Sequence, residues 1–511
     1  MRLLSRRPSG GFAPDARFEK RERAVAHVSG LVLGVVGVGI VVSAVVDAVT
    51  GGPHAVRLGL TGLGLALPGF AVWRFTRPPA RLPIASIYAA VLTAWVVLSI
   101  AGAIPYIVTG TLSAWHDALF ESIAGFTTTG ATTLSGLDEL PSGILFWRSM
   151  TQWFGGMGVI VLAVAVLPFL GVGGLSLMEA EAPGPSSERL VPRVRETARR
   201  LWLLYLGLTF VMIAAYLAAG MSPLDAVNHS FTTVSTGGFS THDASLAHFG
   251  SAAVEWVAIV GMFLAAGSFA LYWRMLRGRP AAFLRSMEAA AYVAIVLTFI
   301  AIAVGWRAVT EGWAHDLVRG SIFSVLTVIS TTGYGTDDFA IWAPPLQLML
   351  LFGMGLGGMT GSTAGGFKVY RLLAILAYAR RQIVHQLHPR SVNVVRMGNE
   401  VVREDVVART IGFFGLFMAA GAAATFVVAA TGEDMVTSIS AAASSIGNVG
   451  PGLGAVGPTQ TFAVLDPVAR VTLALLMLIG RLEIFPVLLG VVPVYRVIDD
   501  RVRRLRMGRI R

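Results

Sequence analysis

The 511-residue chain has no cysteine, which excludes disulfides, thiolate metal centres and cysteine nucleophiles together. Charge is scarce as well. Asp, Glu, Lys and Arg make up 14% of the residues and hydrophobic types 55%, where a soluble domain carries about 25% and ~45–50%. Such a balance describes an all-α polytopic membrane protein. The nine histidines are scattered with no HExxH-like spacing, so the clustered set a membrane hydrolase needs is missing. A net charge of +11 points to nucleic acid in a soluble protein. Here the question is where the charges sit.

Positive charge is nearly absent from four stretches, 110–142, 220–251, 310–342 and 431–466, which hold thirteen acidic residues against Arg319 alone. The opposite connections are rich in arginine, including Arg74, Arg77, Arg81, Arg189, Arg274, Arg277, Arg380 and Arg381. The positive-inside rule then sends the four stretches in from outside and leaves both termini cytoplasmic. The charge is a topology signal, and no nucleic-acid partner is expected. Membrane lipid or a cytoplasmic partner remains an alternative use for the basic tail at 496–511.

A basic segment at 1–23 precedes an apolar run too long for a signal peptide, so 24–82 reads as a retained transmembrane hairpin. Beyond it one unit recurs at 84–170, 197–276, 286–380 and 406–495: an apolar span, a shorter amphipathic stretch, a Ser/Thr/Gly loop and a second apolar span. Each long run supplies the ~20 residues that cross a bilayer core, so the expectation is ten crossings, with four pseudo-repeats around one pore.

The loops align on one glycine each: Thr128-Thr129-Gly130, Ser235-Thr236-Gly237, Thr331-Thr332-Gly333 and Ser445-Ile446-Gly447. Singly, each passes for a turn. As a set they fit a cation filter, in which backbone carbonyls replace the hydration shell of an alkali ion without burying a fixed charge. Glycine lets the backbone aim successive carbonyls to one side. The amphipathic stretches 115–126, 223–233, 314–329 and 434–443 read as half-membrane helices whose negative C-terminal ends favour a cation. Glu121 and His229, close to the loops, read as braces or as tuning groups at the outer mouth.

The segments FTTTGATT, FTTVSTGGFS, VISTTGYGTDD and SSIGNVGPGLG, with the later GSTAGGFKVYR and GRLEIF, resemble the Trk/Ktr/HKT superfamily of cation transporters. The extra N-terminal hairpin resembles its bacterial TrkH branch. That resemblance implies a potassium-translocating protein of the bacterial inner membrane, usually a homodimer with one pore per protomer. It also implies a cytoplasmic partner ring of TrkA type whose domains bind the nucleotide, ATP/ADP or NAD, with no cofactor on this chain. In the family a glycine at all four aligned positions accompanies potassium preference, but Ala131, Gly238, Tyr334 and Asn448 replace the ring of tyrosines of tetrameric potassium channels, so a moderate potassium preference with some rubidium passage and a sodium leak is expected.

The second span of the third unit, 342–380, is almost twice the length that crosses a ~30 Å core. Seven glycines at 353–366 should break it into an intramembrane loop. The resemblance makes that loop, with Gly357, Gly361, Ser362, Thr363 and Gly365, a gate. A small-residue packing face is the alternative. Gly353 to Gly358 imitates a dinucleotide fingerprint without a βαβ unit, and 361–368 imitates a P-loop with Phe367 intruding before Lys368. Lys368 reads as an interfacial anchor. Arg481 stands inside an apolar run, where a charge is expensive and functional by default. It is expected to face the pore and bond the 353–366 loop, or else to tie a neighbouring helix; Glu483, two residues on, cannot share its face.

Overall fold

A computed structural model describes residues 16–76, 84–170, 190–390, 393–398 and 400–490. The tail at 496–511, residues 1–15 of the basic N-terminal segment, Arg77, Arg81 and Arg189 lie outside the described residues.

Helices α1 (Ala16–Val49) and α2 (Ala55–Phe75) form an antiparallel hairpin. Their seam is made of small residues: a Cβ on Gly30 would lie 2.8 Å from Trp73 N, and one on Gly62 2.7 Å from Gly37 O. Backbones that approach this closely gain dispersion contacts that lipid cannot supply.

The remaining helices recur in one order. A long helix is followed by a short one, an irregular loop and a second apolar helix. These are α3 (Ile84–Thr109), α4 (Trp115–Phe126) and α5 (Ser142–Leu170); α6 (Leu190–Ala218), α7 (Pro223–Val234), α8 (Ala252–Ala265) and α9 (Phe269–Leu276); α10 (Met287–Thr310), α11 (His315–Ile329), α12 (Pro344–Leu356) and α13 (Val369–Leu387); and α14 (Glu404–Ala430), α15 (Met435–Gly447) and α16 (Pro467–Leu482). The short helices α4, α7, α11 and α15 have 12 to 15 residues, about 18–23 Å at 1.5 Å per residue, too short to span a bilayer. Polar caps mark the starts of two of them: Ser222 Oγ accepts from Asp225 N at 3.1 Å before α7 and Asp434 Oδ1 from Val436 N at 2.9 Å before α15.

Among the described residues six helices are long and apolar enough to cross a membrane, and up to eight spans result if two bent pairs count as one span each. The pairs are α8 with α9, bent by 95°, and α16 with Ile484–Gly490, bent by 103°. The sequence reading placed a break only in the third unit. The others went unnoticed because Ala266-Gly267-Ser268 and a single Glu483 (φ +62) interrupt otherwise apolar runs. In the third unit the expected break at 353–366 is shifted: α12 stays helical through Leu356, and the irregular segment is 357–368.

Candidate functional site

The four short helices deliver their C-terminal ends to one place. Within two residues of each helix's end comes a residue with left-handed backbone, followed two positions later by a glycine that is also left-handed: Thr128 and Gly130, Thr236 and Gly238, Thr331 and Gly333, Asn448 and Gly450. The hydrogen bonds match. Thr129, Gly237, Thr332 and Val449 each donate their N–H to the carbonyl five residues back, at 2.8–2.9 Å.

These glycines close a ring. A Cβ on Gly130 would collide with Gly237 O, one on Gly238 with Thr332 O, one on Gly333 with Val449 O, and one on Gly450 would lie 2.7 Å from Thr129 O. Every loop thus presses its glycine on the carbonyl of the next, and the fourth returns to the first. Only glycine meets both demands, positive φ and no room for a side chain. An outer tier of bonds follows the same circuit: Leu137 N to Asp243 Oδ2 at 3.0 Å, Gly335 N to Ser245 Oγ at 3.2 Å, Thr459 Oγ1 to Asp338 Oδ2 at 3.3 Å and Phe462 N to Thr132 O at 2.8 Å.

The backbone sets a different register from the sequence pairing in the second and fourth loops. Ser235 caps α7, and Gly237 stands where Thr129 and Thr332 stand. Ser445 and Ile446 belong to the last turn of α15, and Gly447 is its final residue. Gly447 is small for another reason, since a Cβ there would meet Met354 O of α12.

Buried side chains brace the ring. Arg148 Nε donates to Glu121 Oε1 at 2.8 Å, Thr132 Oγ1 and Thr133 N also donate to Glu121, and Arg148 Nη1 reaches Ser240 O at 3.0 Å. Gln152, one turn further along α5, donates from Nε2 to Gly237 O at 2.8 Å and accepts from Phe239 N at 3.0 Å. Asn448 Nδ2 donates to Thr129 Oγ1 at 2.9 Å. The Tyr334 hydroxyl lies 2.6 and 3.0 Å from Thr232 Oγ1 and Thr233 Oγ1 and donates to His229 O at 3.0 Å. His229 itself contacts Asp225 O at 2.9 Å and Ser240 Oγ at 3.0 Å. Further out, the hydrogen bond from His242 beside Asp138 holds that carboxyl below its usual range.

The 357–368 segment crosses against the same helix ends. Thr363 Oγ1 donates to Val234 O at 2.9 Å and to Ala265 O at 3.1 Å, and Gly365 N donates to Thr331 Oγ1 at 2.7 Å. Met359 N donates to Ala266 O at 2.9 Å and Phe269 N to Gly361 O at 3.2 Å. The carbonyls freed where α8 breaks from α9 are therefore satisfied by this segment, as helix ends in lipid require. Arg481, fully buried on α16, donates from Nη1 to Thr363 O at 2.7 Å, while its Nε and Nη2 find no protein partner among the described residues. Ser362 Oγ stays local, bonding Met359 O at 2.6 Å. Lys368 is turned inward, half-buried with φ +75, its Nζ donating to Ala364 O, which corrects its reading as an interfacial anchor. Glu483 pairs with Arg371 at 2.6 Å.

Comparison with known proteins turns this geometry into a family. Residues 64–495 match the model of the TrkH family, described as cation transport protein. The chain belongs to the TrkH family. It is 38% identical to the Trk system potassium uptake protein TrkH of Salmonella typhimurium, over 85% of this chain and 90% of that one. The identity to TrkG of Escherichia coli, another Trk system potassium uptake protein, is 36% over 77% and 82%. The crystal structure of the potassium transporter TrkH from Vibrio parahaemolyticus aligns over 91% of this chain and 98% of its own, with a TM-score of 0.83 at 34% identity. The family is one of membrane transporters, not enzymes, and this TrkH-family chain is a multi-pass membrane protein. Sequence reasoning missed Arg148 and Gln152. The signal was there: two polar residues four apart in the apolar run of α5 share one helix face.

Proposed function

We propose that the chain carries potassium into the cell through the ring of four loops. The observation that carries this reading is the closed circuit in which Gly130, Gly238, Gly333 and Gly450 abut the carbonyls of Gly237, Thr332, Val449 and Thr129. Such a circuit gathers backbone oxygens at the negative ends of four helices, the chemistry a dehydrated alkali cation needs. The filter in this reading comprises Thr128–Gly130, Thr236–Gly238, Thr331–Gly333 and Asn448–Gly450. Ten crossings follow if α5 and the broken α12/α13 pair each span once beside the eight spans already counted. The four units then surround one pore as pseudo-repeats, both termini are cytoplasmic, and the membrane is the bacterial inner membrane.

The 357–368 segment is the gate, with Gly357, Gly361, Ser362, Thr363 and Gly365, and Arg481 is its latch. Supporting this, the segment touches helix ends of three units and is held by one buried arginine. The relatives are named as proteins of a Trk system, which supports partner subunits; in this reading the chain is a homodimer controlled by a cytoplasmic ring of TrkA type, with nucleotide on that partner. Rubidium and sodium uptake into proteoliposomes tests the pore. Gly333→Asp should abolish rubidium flux, and flux equal to the unsubstituted chain overturns the filter.

A further inference from the structure

Outside the ring, Asp138, His242 and His248 each offer one ligand atom, and the three atoms lie within 4.8 Å of one another. Asp138 sits on the outer turn Leu137–Glu139 of the first unit, and both histidines sit on the outer segment of the second. We propose that these three residues bind a divalent transition-metal ion of the zinc class, tying the first loop's outer segment to the second's.

The donor set is the first argument. Two imidazoles and a carboxylate suit zinc, cobalt or nickel, whereas potassium, magnesium and calcium take oxygen. Geometry is the second. His242 Nδ1 lies 2.5 Å and His248 Nδ1 3.8 Å from the same oxygen, Asp138 Oδ1. Tetrahedral zinc with bonds of about 2.0–2.2 Å spaces its ligand atoms roughly 3.3 Å apart, so each imidazole's contact to Asp138 Oδ1 is within an ångström of that spacing, and one ring must turn out of the stack for both to face one ion. The imidazole rings stack in parallel, 3.5 Å apart at 3°, with Phe249 edge-on to both. Closure takes a tilt of His248, the more exposed of the two histidines.

A second carboxylate stands behind His242. Asp225 Oδ1 lies 3.5 Å from His242 Nε2, turning Nδ1 toward Asp138. Asp225 is itself held by Thr241 Oγ1 at 2.6 Å and Ser222 Oγ at 2.7 Å. The pair stands just outside the carboxylate–histidine hydrogen bond that orients metal ligands, which His242 Nε2 does not make in this structure. With side-chain exposures of 46%, 18% and 45% for Asp138, His242 and His248, the cluster is open to ions, and a water completes four ligands.

The test is binding, independent of the transport reading. The full-length chain in nanodiscs, stripped with chelator, is titrated with Co2+, whose visible absorption reports tetrahedral coordination, and then with Zn2+. One ion per chain is expected, with affinity at least about tenfold weaker in His248→Ala and in Asp138→Asn. Zn2+ should raise the thermal midpoint of the parent chain and leave that of His248→Ala unchanged. Absence of a tetrahedral band in the parent, or equal affinity or equal thermal shift in parent and variants, overturns the site.

Discussion

Replacing Gly333 by alanine separates two costs that glycine avoids. At φ +82 an L-residue pays roughly 1–2 kcal/mol for left-handed backbone. The added Cβ would also come closer to Val449 O than the 3.0 Å that real Cβ atoms keep, and would lie 2.9 Å from Pro451 Cδ. Restoring an ordinary C···O separation near 3.3 Å moves the Val449 carbonyl by about 1 Å. Gly110 provides the control, because its φ is +79 and a Cβ there meets nothing within 4 Å. Gly110→Ala should lose about 1–2 kcal/mol, read as a drop of order 2 °C in thermal midpoint, and Gly333→Ala that amount plus the overpacking cost, typically about 1–3 kcal/mol more. Only Gly333→Ala should lose transport. If the displaced carbonyl forfeits the ~1.5–3 kcal/mol of a contact to a charged group, rubidium uptake falls about ten- to hundredfold. The reasoning fails if folded Gly333→Ala and Gly110→Ala transport rubidium equally well.

Arg481→Ala removes the bond to Thr363 O and should raise basal rubidium flux of the chain alone several-fold; unchanged flux takes Arg481 out of the gate. Arg148→Met leaves Glu121 buried without its cation and should cost about 3–5 kcal/mol, whereas adding Glu121→Gln should recover part of the loss. A thermal double-mutant cycle measures that coupling, and additive losses would deny it. Tyr334→Phe removes the hydroxyl shared with Thr232, Thr233 and His229, so the thermal midpoint should fall by an amount equivalent to about 1–2 kcal/mol. The rubidium-to-sodium uptake ratio should fall with it as the third loop loosens.

Much of the fold was legible because lipid restricts the choices. A span must be helical and about 20 residues long, so runs such as those of α10 and α14 announce themselves. Breaks are harder to read. The α12/α13 interruption carries five glycines, whereas Glu483 breaks α16 with a single residue in left-handed backbone. Composition sees the first and not the second. Braces such as Arg148–Glu121 join residues 27 apart in sequence, and nothing local pairs them.

The ring register was hidden for a related reason. Sequence alignment weighs residue type, and the motif of hydroxyl, hydroxyl and glycine is satisfied by Ser235-Thr236-Gly237 and not by Thr236-Gly237-Gly238, so it selects the wrong glycine. The structure weighs backbone conformation instead. The chain turns left-handed within two residues of the helix end, and glycine is needed two residues later, where the next loop's carbonyl arrives. Threonine fills the first position in three loops and asparagine in the fourth, a residue that tolerates left-handed backbone better than most. Asn448 therefore marks the end of α15, and Gly450, not Gly447, completes the ring. The same rule predicts which glycine fails when lost: Gly450→Ala drives its Cβ to 2.7 Å from Thr129 O and should impair rubidium uptake as Gly333→Ala does. Gly447→Ala instead pushes α12 at Met354 O and should change gating more than the rubidium-to-sodium ratio. Identical selectivity changes in the two variants would return the fourth loop to the register read from sequence.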